Sequence, residues 1–347
     1  MRVLVTGGLG FIGSHLVRRL LAEPDLEVVN LDALTYAGNL ANLADCASDA
    51  HYRWERVSVA DRAAVRTVFA RYQPFDAVMH LAAESHVDRS IQSGLPFVET
   101  NVMGTAVLLE AAREYRAGRF VQVSTDEVYG SLGSSGRFSE SSPLNPNSPY
   151  SASKAGGDLL ALAAYRTYGQ DVVVTRCSNN YGPYQFPEKL IPLWVTNGME
   201  DKPWPLYGDG AQVRDWIHVA DHVEGLWRVL QHGRSGEIYN LGARNERSNR
   251  EVAATLLAMM GLLPSTLVPV ADRPGHDRRY AIDPSKAESE LGWRPQHNWE
   301  PALAETVAWY RTHEEWWRAI KSGAYREYYR EQYRTLATVR AEPQENP

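Results

Sequence analysis

The chain has 347 residues, enough for a sizeable core and two lobes, and a net charge of -6, which argues against a nucleic-acid-binding surface and for small-molecule partners. Its two cysteines, Cys46 and Cys177, show neither metal-ligand spacing nor a disulfide framework, so no metal is expected and a reducing cytoplasm is. No apolar run reaches the length of a membrane span, and a strand starting at Arg2 leaves no room for a signal peptide, so neither a membrane anchor nor secretion is expected.

Residues 2–6 read as a buried strand running into Gly7-Gly8-Leu9-Gly10-Phe11-Ile12-Gly13 and an apolar helix. Glycines at that turn let the backbone approach a pyrophosphate, and the helix N-terminus offers unpaired N–H groups and a positive dipole end. A second strand, residues 27–31, ends at Asp32, about 20 residues beyond the turn, where a carboxylate accepts from both ribose hydroxyls. Asp32 would repel a 2′-phosphate and no arginine stands beside it, so NAD is expected rather than NADP.

Further strands near Tyr52, Asp76, Arg119 and Asp171 alternate with amphipathic helices up to about Ser178. That order predicts an α/β fold with a Rossmann-like, doubly wound parallel sheet. Such sheets bind ligands at the carboxyl ends of their strands, where the glycine turn, Asp32, Leu81-Ala82-Ala83 and Ser124-Thr125-Asp126-Glu127 all fall. The Ser/Gly/Pro-rich connection 131–149 is long for a compact domain and is expected to wall the site.

Beyond Asn179 the pattern shifts to short loops and helices rich in Pro, Tyr, Trp and Arg. The expected division is an NAD-binding domain over 1–178, which also receives a strand from about 237–241, a smaller substrate-binding lobe over 179–340, and a disordered tail over 341–347. The aromatic run from Trp309 through Trp316 and Trp317 to Tyr325, Tyr328, Tyr329 and Tyr333 has helical spacing and reads as a helix packed on the main body.

Chemistry concentrates in two stretches. Thr125, Asp126 and Glu127 supply a hydroxyl and adjacent carboxylic acids, while Tyr150 and Lys154, four residues apart, lie on one helix face where an ammonium can favour phenolate. A tyrosine ordinarily titrates near ~10, so a basic Tyr150 requires positive charge from Lys154 and an oxidised nicotinamide.

With Gly7, Gly10, Gly13, Asp32, Tyr150 and Lys154 in place, the chain resembles the extended short-chain dehydrogenase/reductase family, which modifies nucleotide sugars with a bound NAD. Asp32-Ala-Leu-Thr-Tyr-Ala-Gly-Asn-Leu40, Ala82-Ala-Glu-Ser-His-Val-Asp-Arg-Ser90, Ser124-Thr-Asp-Glu-Val-Tyr-Gly130, Ser178-Asn-Asn-Tyr-Gly-Pro-Tyr184, Phe186-Pro-Glu-Lys-Leu190 and Arg273-Pro-Gly-His-Asp-Arg-Arg-Tyr280 are similar to its branch of 4,6-dehydratases acting on dTDP-glucose. The resemblance runs from Met1 to about Tyr333.

For NAD, the resemblance implies contacts from Gly7, Gly10, Phe11, Ile12, Gly13, Asp32, Ala33, Leu34, Thr35, Ser58, Val59, Leu81, Ala82, Ala83, Thr100, Tyr150, Lys154 and Asn180. For the nucleotide sugar it implies Ser85, Thr125, Asn179, Glu188, Lys189, Leu190, Pro205, Tyr207, Arg214, Asn249, Arg273, His276 and Tyr280, with Arg214 and Arg273 as bidentate phosphate ligands and Tyr207 against the base. One departure is Ser58, which stands where the family carries an acid on the adenine amino group; Asp61 reads as a helix N-cap. His86 and His218 read as structural, His276 as touching substrate, and Arg89 as pairing with acids such as Glu84 or Asp88.

The implied reaction removes water from a hexose without net redox change, with Tyr150 as base at C4, Thr125 on the same oxygen, Glu127 as base at C5 and Asp126 as acid toward the C6 hydroxyl. Alternatives on the same fold are a 4-epimerase, a sugar-acid decarboxylase or a GDP-mannose dehydratase, and from another class a non-catalytic NAD-binding protein. The Asp126-Glu127 pair discriminates against the enzymes, and retention of Tyr150 and Lys154 against the silent binder. The resemblance also implies a homodimer packed through helices around 96–115 and 151–168.

Overall fold

The computed structural model describes residues 1–322; Tyr325, Tyr328, Tyr329, Tyr333 and the tail over 341–347 lie outside the described residues. In chain order the strands are β1 (Arg2–Thr6), β2 (Glu27–Asp32), β3 (Tyr52–Arg56), β4 (Ala77–His80), β5 (Arg119–Thr125), β6 (Val172–Cys177), β7 (Asn179–Tyr181), β8 (Trp204–Tyr207), β9 (Val213–His218), β10 (Ile238–Leu241), β11 (Glu246–Ser248) and β12 (Leu267–Val270). The helices are α1 (Phe11–Leu21), α2 (Arg62–Tyr72), α3 (Val87–Gln92), α4 (Leu95–Phe97), α5 (Gly104–Glu114), α6 (Pro149–Tyr168), α7 (Leu190–Met199), α8 (Val219–His232), α9 (Asn249–Met260), α10 (Ser285–Leu291), α11 (Trp299–Thr312) and α12 (Glu314–Lys321).

A seven-stranded sheet runs β10-β6-β5-β4-β1-β2-β3, with every neighbouring pair parallel. Its central strands are apolar without alternation, as burial on both faces requires. Helices α1, α8 and α10 cover one face, where Leu16, Val17 and Leu20 meet Val223, Leu226, Ala287 and Leu291. Helices α2, α5 and α6 cover the other, with Val65, Phe69, Leu108, Ala112 and Ala161 buried against the sheet. The chain reverses its winding between β1 and β4, and a crevice opens there at the strands' carboxyl ends.

A third core belongs to α7, β8, α9, α11 and α12, around Trp194, Trp204, Leu256, Leu303 and Trp317. The Trp194 and Trp204 rings stack with centroids 5.6 Å apart. The later half of the chain therefore supplies two bodies, because β10, α8 and α10 return to the nucleotide sheet while the other elements form the lobe. The lobe also holds short strands that local pattern did not show. β9 pairs with β7 and β11, and β8 with β12, each with a partner remote in sequence.

The connection 131–149 does not wall the cleft. Its backbone pairs with a distant segment, Leu132 N donating to Arg279 O at 3.0 Å, Phe138 N to Ala281 O at 2.9 Å and Asp283 N to Phe138 O at 2.8 Å. Asn147 Nδ2 adds a 2.6 Å bond to Asp277 Oδ1. Phe138 stacks on Tyr129, ring centroids 5.0 Å apart, so the loop braces the turn after β5 against residues 277–283. Its Gly, Pro and Ser content serves this irregular backbone pairing rather than a mobile lid.

Candidate active site

At the dinucleotide end, Gly7 has φ of +74°, and a Cβ there would lie 2.8 Å from the Ala82 backbone, so the turn presses against the end of β4 as only glycine allows. A Cβ on Gly13 would stand 2.1 Å from Gly7 O, which fixes how closely α1 follows the turn. The first N–H groups of α1, from Phe11 to Gly13, precede the helical hydrogen bond of Ser14 N to Gly10 O and face the cleft. Asp32 is buried at the end of β2; Oδ2 accepts from Leu9 N at 2.9 Å and Oδ1 from Leu34 N at 2.8 Å. Leu34 thus works through its N–H, with φ of +53°, and its side chain joins the core instead of lining the cleft.

The segment 81–83 is set by a buried histidine. Thr6 Oγ1 accepts from Leu81 N and Ala82 N at 3.2 and 3.1 Å, so its hydroxyl proton goes to His80 Nδ1 at 2.7 Å. Thr105 spends its proton on Asn101 O, so His80 Nε2–H donates to Thr105 Oγ1 at 3.1 Å. Burial accordingly pushes the imidazole down to about 3 and keeps it neutral.

Helix α6 begins with a capping box, Ser148 and Ser151 bonding each other's backbone, with Pro149 in the first turn. It presents Tyr150 and Lys154 on one face, both buried. Lys154 Nζ donates to Val123 O at 2.8 Å, which ties the ammonium to β5. Burial raises the Tyr150 phenol well above its ordinary range, with Glu127 raising it next, and burial lowers Lys154. Burial and the neighbouring acids therefore oppose phenolate, the Thr125 hydroxyl favours it, and oxidised nicotinamide would add favourable charge.

Beyond β5 the chain turns tightly at Asp126–Tyr129, with Thr125 as the cap: Glu127 N donates to Thr125 Oγ1 at 3.2 Å, and that hydroxyl donates to Asp126 Oδ1 at 3.2 Å. Asp126 is buried and its Oδ2 lacks a hydrogen-bond partner among the described residues. Burial, then Glu127 and Asp215, push its carboxyl well above the usual range, against Arg214 and the Thr125 hydrogen bond. Glu127, partly buried, is also raised by burial but is pulled back by three cations, Arg273, Arg214 and Lys189. The environments divide the pair: Asp126 keeps its proton more readily, and Glu127 ionises more readily.

One cleft collects these groups. It is lined by Gly7, Gly10, Phe11, Ile12, Gly13, Asp32, Ala33, Thr35, Ser58, Val59, Leu81, Ala82, Ala83, Thr100, Asn180, Tyr150 and Lys154 on the dinucleotide side, and by Ser85, Thr125, Asp126, Glu127, Asn179, Glu188 and Lys189 toward the lobe. Two residues of its lining carry buried polar atoms without hydrogen-bond partners among the described residues, Ser178 Oγ and Asn179 Oδ1. An elongated polar ligand with a pyrophosphate at the glycine turn and a ribose at Asp32 fits this set, as NAD does. Ser58 lines the cleft, its Oγ accepting from Ala60 N at 3.3 Å, while Asp61 caps α2 through Ala64 N at 3.0 Å.

Leu190, Pro205, Tyr207, Arg214, Asn249, Arg273, His276 and Tyr280 stand outside the lining of that cleft. Several of them form a cationic shelf behind Glu127. Arg273 reaches Asp88 at 3.3 Å, Tyr207 Oη donates to Asp88 Oδ2 at 3.0 Å, and the Arg214 guanidinium lies 4.2 Å from the Tyr280 ring centroid. His276 meets Tyr207 edge to face and pairs with Asp272. Pro205 gives its carbonyl to Trp194 Nε1 at 3.0 Å inside the lobe core, and Asn249 opens α9 with Oδ1 lacking a partner among the described residues. His218 caps α8 and stacks on His297 at 4.2 Å; His86 lies 3.8 Å from Glu188, and Arg89 pairs with Glu188 at 3.5 Å and covers the Tyr36 ring at 3.9 Å.

Sequence reasoning passed over Glu84, Cys177, Ser178, Gln185 and Phe186, which also line the cleft. All five flank or sit inside the motifs quoted above, Gln185 between two of them, so the signal was position.

The family model described as GDP-mannose 4,6 dehydratase matches residues 4–306. A dTDP-glucose 4,6-dehydratase of Neisseria meningitidis serogroup B is 50% identical over 346 residues, covering 94% of this chain and 97% of its own. Among solved structures, a Streptomyces venezuelae dTDP-glucose 4,6-dehydratase with NAD and TYD bound superposes with a TM-score of 0.90 at 54% identity, over 92% of this chain and 100% of that one. A Bacillus anthracis dTDP-glucose 4,6-dehydratase in complex with NAD gives 0.87 at 48% identity, over 92% and 100%. With the glycine turn, Asp32, the Thr-Asp-Glu run and the Tyr-Lys pair gathered in one cleft, the chain belongs to this family of nucleotide-sugar dehydratases, in its dTDP-glucose 4,6-dehydratase branch.

Proposed function

We propose that the chain is an NAD-dependent hydro-lyase that converts dTDP-glucose to dTDP-4-keto-6-deoxyglucose and water, a step of deoxysugar biosynthesis. The observation that carries the mechanism is the split environment of Asp126 and Glu127: acids and burial surround the first, cations the second. NAD, when bound, supplies a reversible two-electron oxidation, taking hydride from C4 and returning it at C6. Tyr150 takes the C4 hydroxyl proton, Thr125 hydrogen-bonds the same oxygen, and Lys154 holds ribose and phenol in register. Oxidation at C4 acidifies the C5 hydrogen, which Glu127 removes. Asp126 delivers its proton to the departing C6 hydroxyl so that water leaves, and Glu127 returns a proton to C5. Each positioned acid or base contributes roughly 10² to 10⁴ in rate.

Incubating the protein with dTDP-glucose in deuterated solvent tests the reading: a 4-keto product carrying solvent deuterium at C5 is expected, and an epimerised sugar or unchanged substrate defeats it. Glu127→Gln is expected to slow C5 exchange by roughly 10²-fold or more. Undiminished exchange moves the base elsewhere.

The proposed division places NAD on residues 1–178 together with β10, and the nucleotide on the lobe over 179–340, where Arg214 and Arg273 hold the diphosphate and Tyr207 bounds the base. The proposed setting is the cytoplasm; no helix among the described residues is long and apolar enough to cross a membrane. A homodimer is supported by apolar side chains left in solvent on the two helical segments named for it, Leu95 at 79%, Val98 at 51% and Leu159 at 56% exposed. A solution mass of two chains is expected, falling to one in a Leu95→Glu, Leu159→Glu variant; a monomeric parent protein overturns it.

A further inference from the structure

Helix α12 reaches the dinucleotide turn through one buried asparagine. Trp316 Nε1 donates to Asn42 Oδ1 at 2.8 Å, and Asn42 Nδ2 donates to Leu9 O at 2.8 Å. The orientation of this amide is unambiguous, because an indole N–H can only donate and a carbonyl can only accept. Asn42 is 2% exposed and Leu9 1%, so the bond between them has no water as a ready substitute, while the indole bond is part-buried. Leu9 is the single non-glycine between Gly8 and Gly10, and its own N–H is the donor to Asp32 Oδ2 at 2.9 Å. Leu9 O also accepts from Asn39 N at 3.0 Å, so the Asn42 amide is the second of two donors on it, and both peptide groups of Leu9 are held: the one whose N–H bonds Asp32, and the one that leads into the N-terminus of α1. Arg18 of α1 adds a bond to Asn42 O, so the same asparagine clips helix and turn together.

We propose that Trp316 and Asn42 are positioning residues that set how long NAD stays bound, with α12 acting as a strap across 274 residues of sequence onto the glycine turn. A turn whose glycines are held in the bound geometry binds without the entropy cost of ordering them. A cofactor that is reduced and reoxidised within one catalytic cycle gains from slow release, and the strap supplies that without touching the sugar. The strap acts on affinity and dwell time and leaves the proton-transfer groups unchanged.

The test is NAD dissociation from the purified full-length protein, followed by the fraction of NAD retained on desalting and by the off-rate in a chase, together with the melting temperature. Trp316→Phe keeps a ring and removes the N–H, so NAD should leave roughly 3- to 10-fold faster, the size of one neutral hydrogen bond. Asn42→Asp still accepts from the indole but sets a carboxylate against Leu9 O, and should release NAD faster still. Trp309→Phe is the control. Its ring packs on Trp316 at 5.2 Å and on Tyr184 at 4.6 Å within the same cluster, but it has no part in the Asn42 relay. It should lower the melting temperature as much as Trp316→Phe while NAD dissociation stays within twofold of the parent. Equal loss of NAD in both tryptophan variants, or an unchanged off-rate in Trp316→Phe and Asn42→Asp, overturns the proposal. Turnover with saturating NAD should stay within twofold in Trp316→Phe, so failure of the strap is separable from failure of the catalytic reading.

Discussion

Asp126→Asn is expected to oxidise C4 and then stall, with loss of the C6 hydroxyl slowed by about 10² to 10⁴ and the absorbance of reduced dinucleotide persisting through a single turnover. The reason lies in what Asp126 touches. One oxygen takes the Thr125 hydroxyl and the other has no partner among the described residues, which suits a carboxylic acid whose O–H waits for a substrate oxygen. Asparagine fills the same volume and can donate a hydrogen bond, yet it cannot give up a proton to a leaving hydroxide. C5 exchange with solvent, which depends on Glu127, should continue while water loss is blocked. Fast elimination with no build-up contradicts the role.

The same substitution makes a second, opposite prediction about stability. Burial raises the Asp126 carboxyl in the folded protein above its unfolded value, so the native state binds more protons than the unfolded one across the interval between them. Stability contributed at this site is therefore intact below the unfolded value and declines as pH rises toward the folded one. The substituted asparagine does not titrate, so the variant should be more stable than the parent at neutral pH, and the advantage should fade in acid. A variant less stable at pH 7 than at pH 4, relative to the parent, contradicts the assignment of Asp126 as the protonated partner. Activity and stability are opposed at this residue, as expected where a site holds a group in a costly state.

The dinucleotide half was legible because its determinants are local. The glycine turn, Asp32 about a strand and helix later, and the apolar strands follow each other at short range, and β1, β2, β5 and β6 stand where the periodicity placed them. The positions of the proposed catalytic groups were legible for the same reason, since Thr125 to Glu127 lie at one strand end and Tyr150 and Lys154 within one helical turn. What stayed hidden depends on pairings between distant residues. The loop 131–149 looked like a wall because its partners, residues 277–283, carry no sign of it. The lobe strands β7, β9 and β11 are three to six residues long and exist by virtue of each other. Leu34 looked like a contact through its side chain and serves instead through its backbone N–H, which residue type cannot show.

One buried pair under the active site calls for the largest stability effect. Arg176 at the end of β6 is 1% exposed and its Nε donates to Asp158 Oδ2 at 2.9 Å; Asp158 is fully buried on α6, one turn beyond Lys154. The guanidinium also lies 4.7 Å from the Tyr129 ring centroid. Burial pushes the Asp158 carboxyl up, and Arg176 followed by Lys154 act against that, so the arginine is the main group favouring the charged form. Arg176→Met keeps much of the volume and removes the counter-charge. Leaving a charge uncompensated inside a protein costs about 3 to 5 kcal/mol, which should appear as a lower urea midpoint with an unchanged slope. The sign with pH follows from the same account. Without Arg176 the folded carboxyl titrates higher still, so the deficit should be small in acid, where Asp158 is protonated in both states, and should grow as pH rises. Adding Asp158→Leu should recover most of the loss, because an apolar pair of similar volume is often as stable as the ion pair it replaces. A single variant that loses less than about 1 kcal/mol, or a double variant no better than the single, contradicts the view that this pair exists to keep an acid charged beneath Lys154.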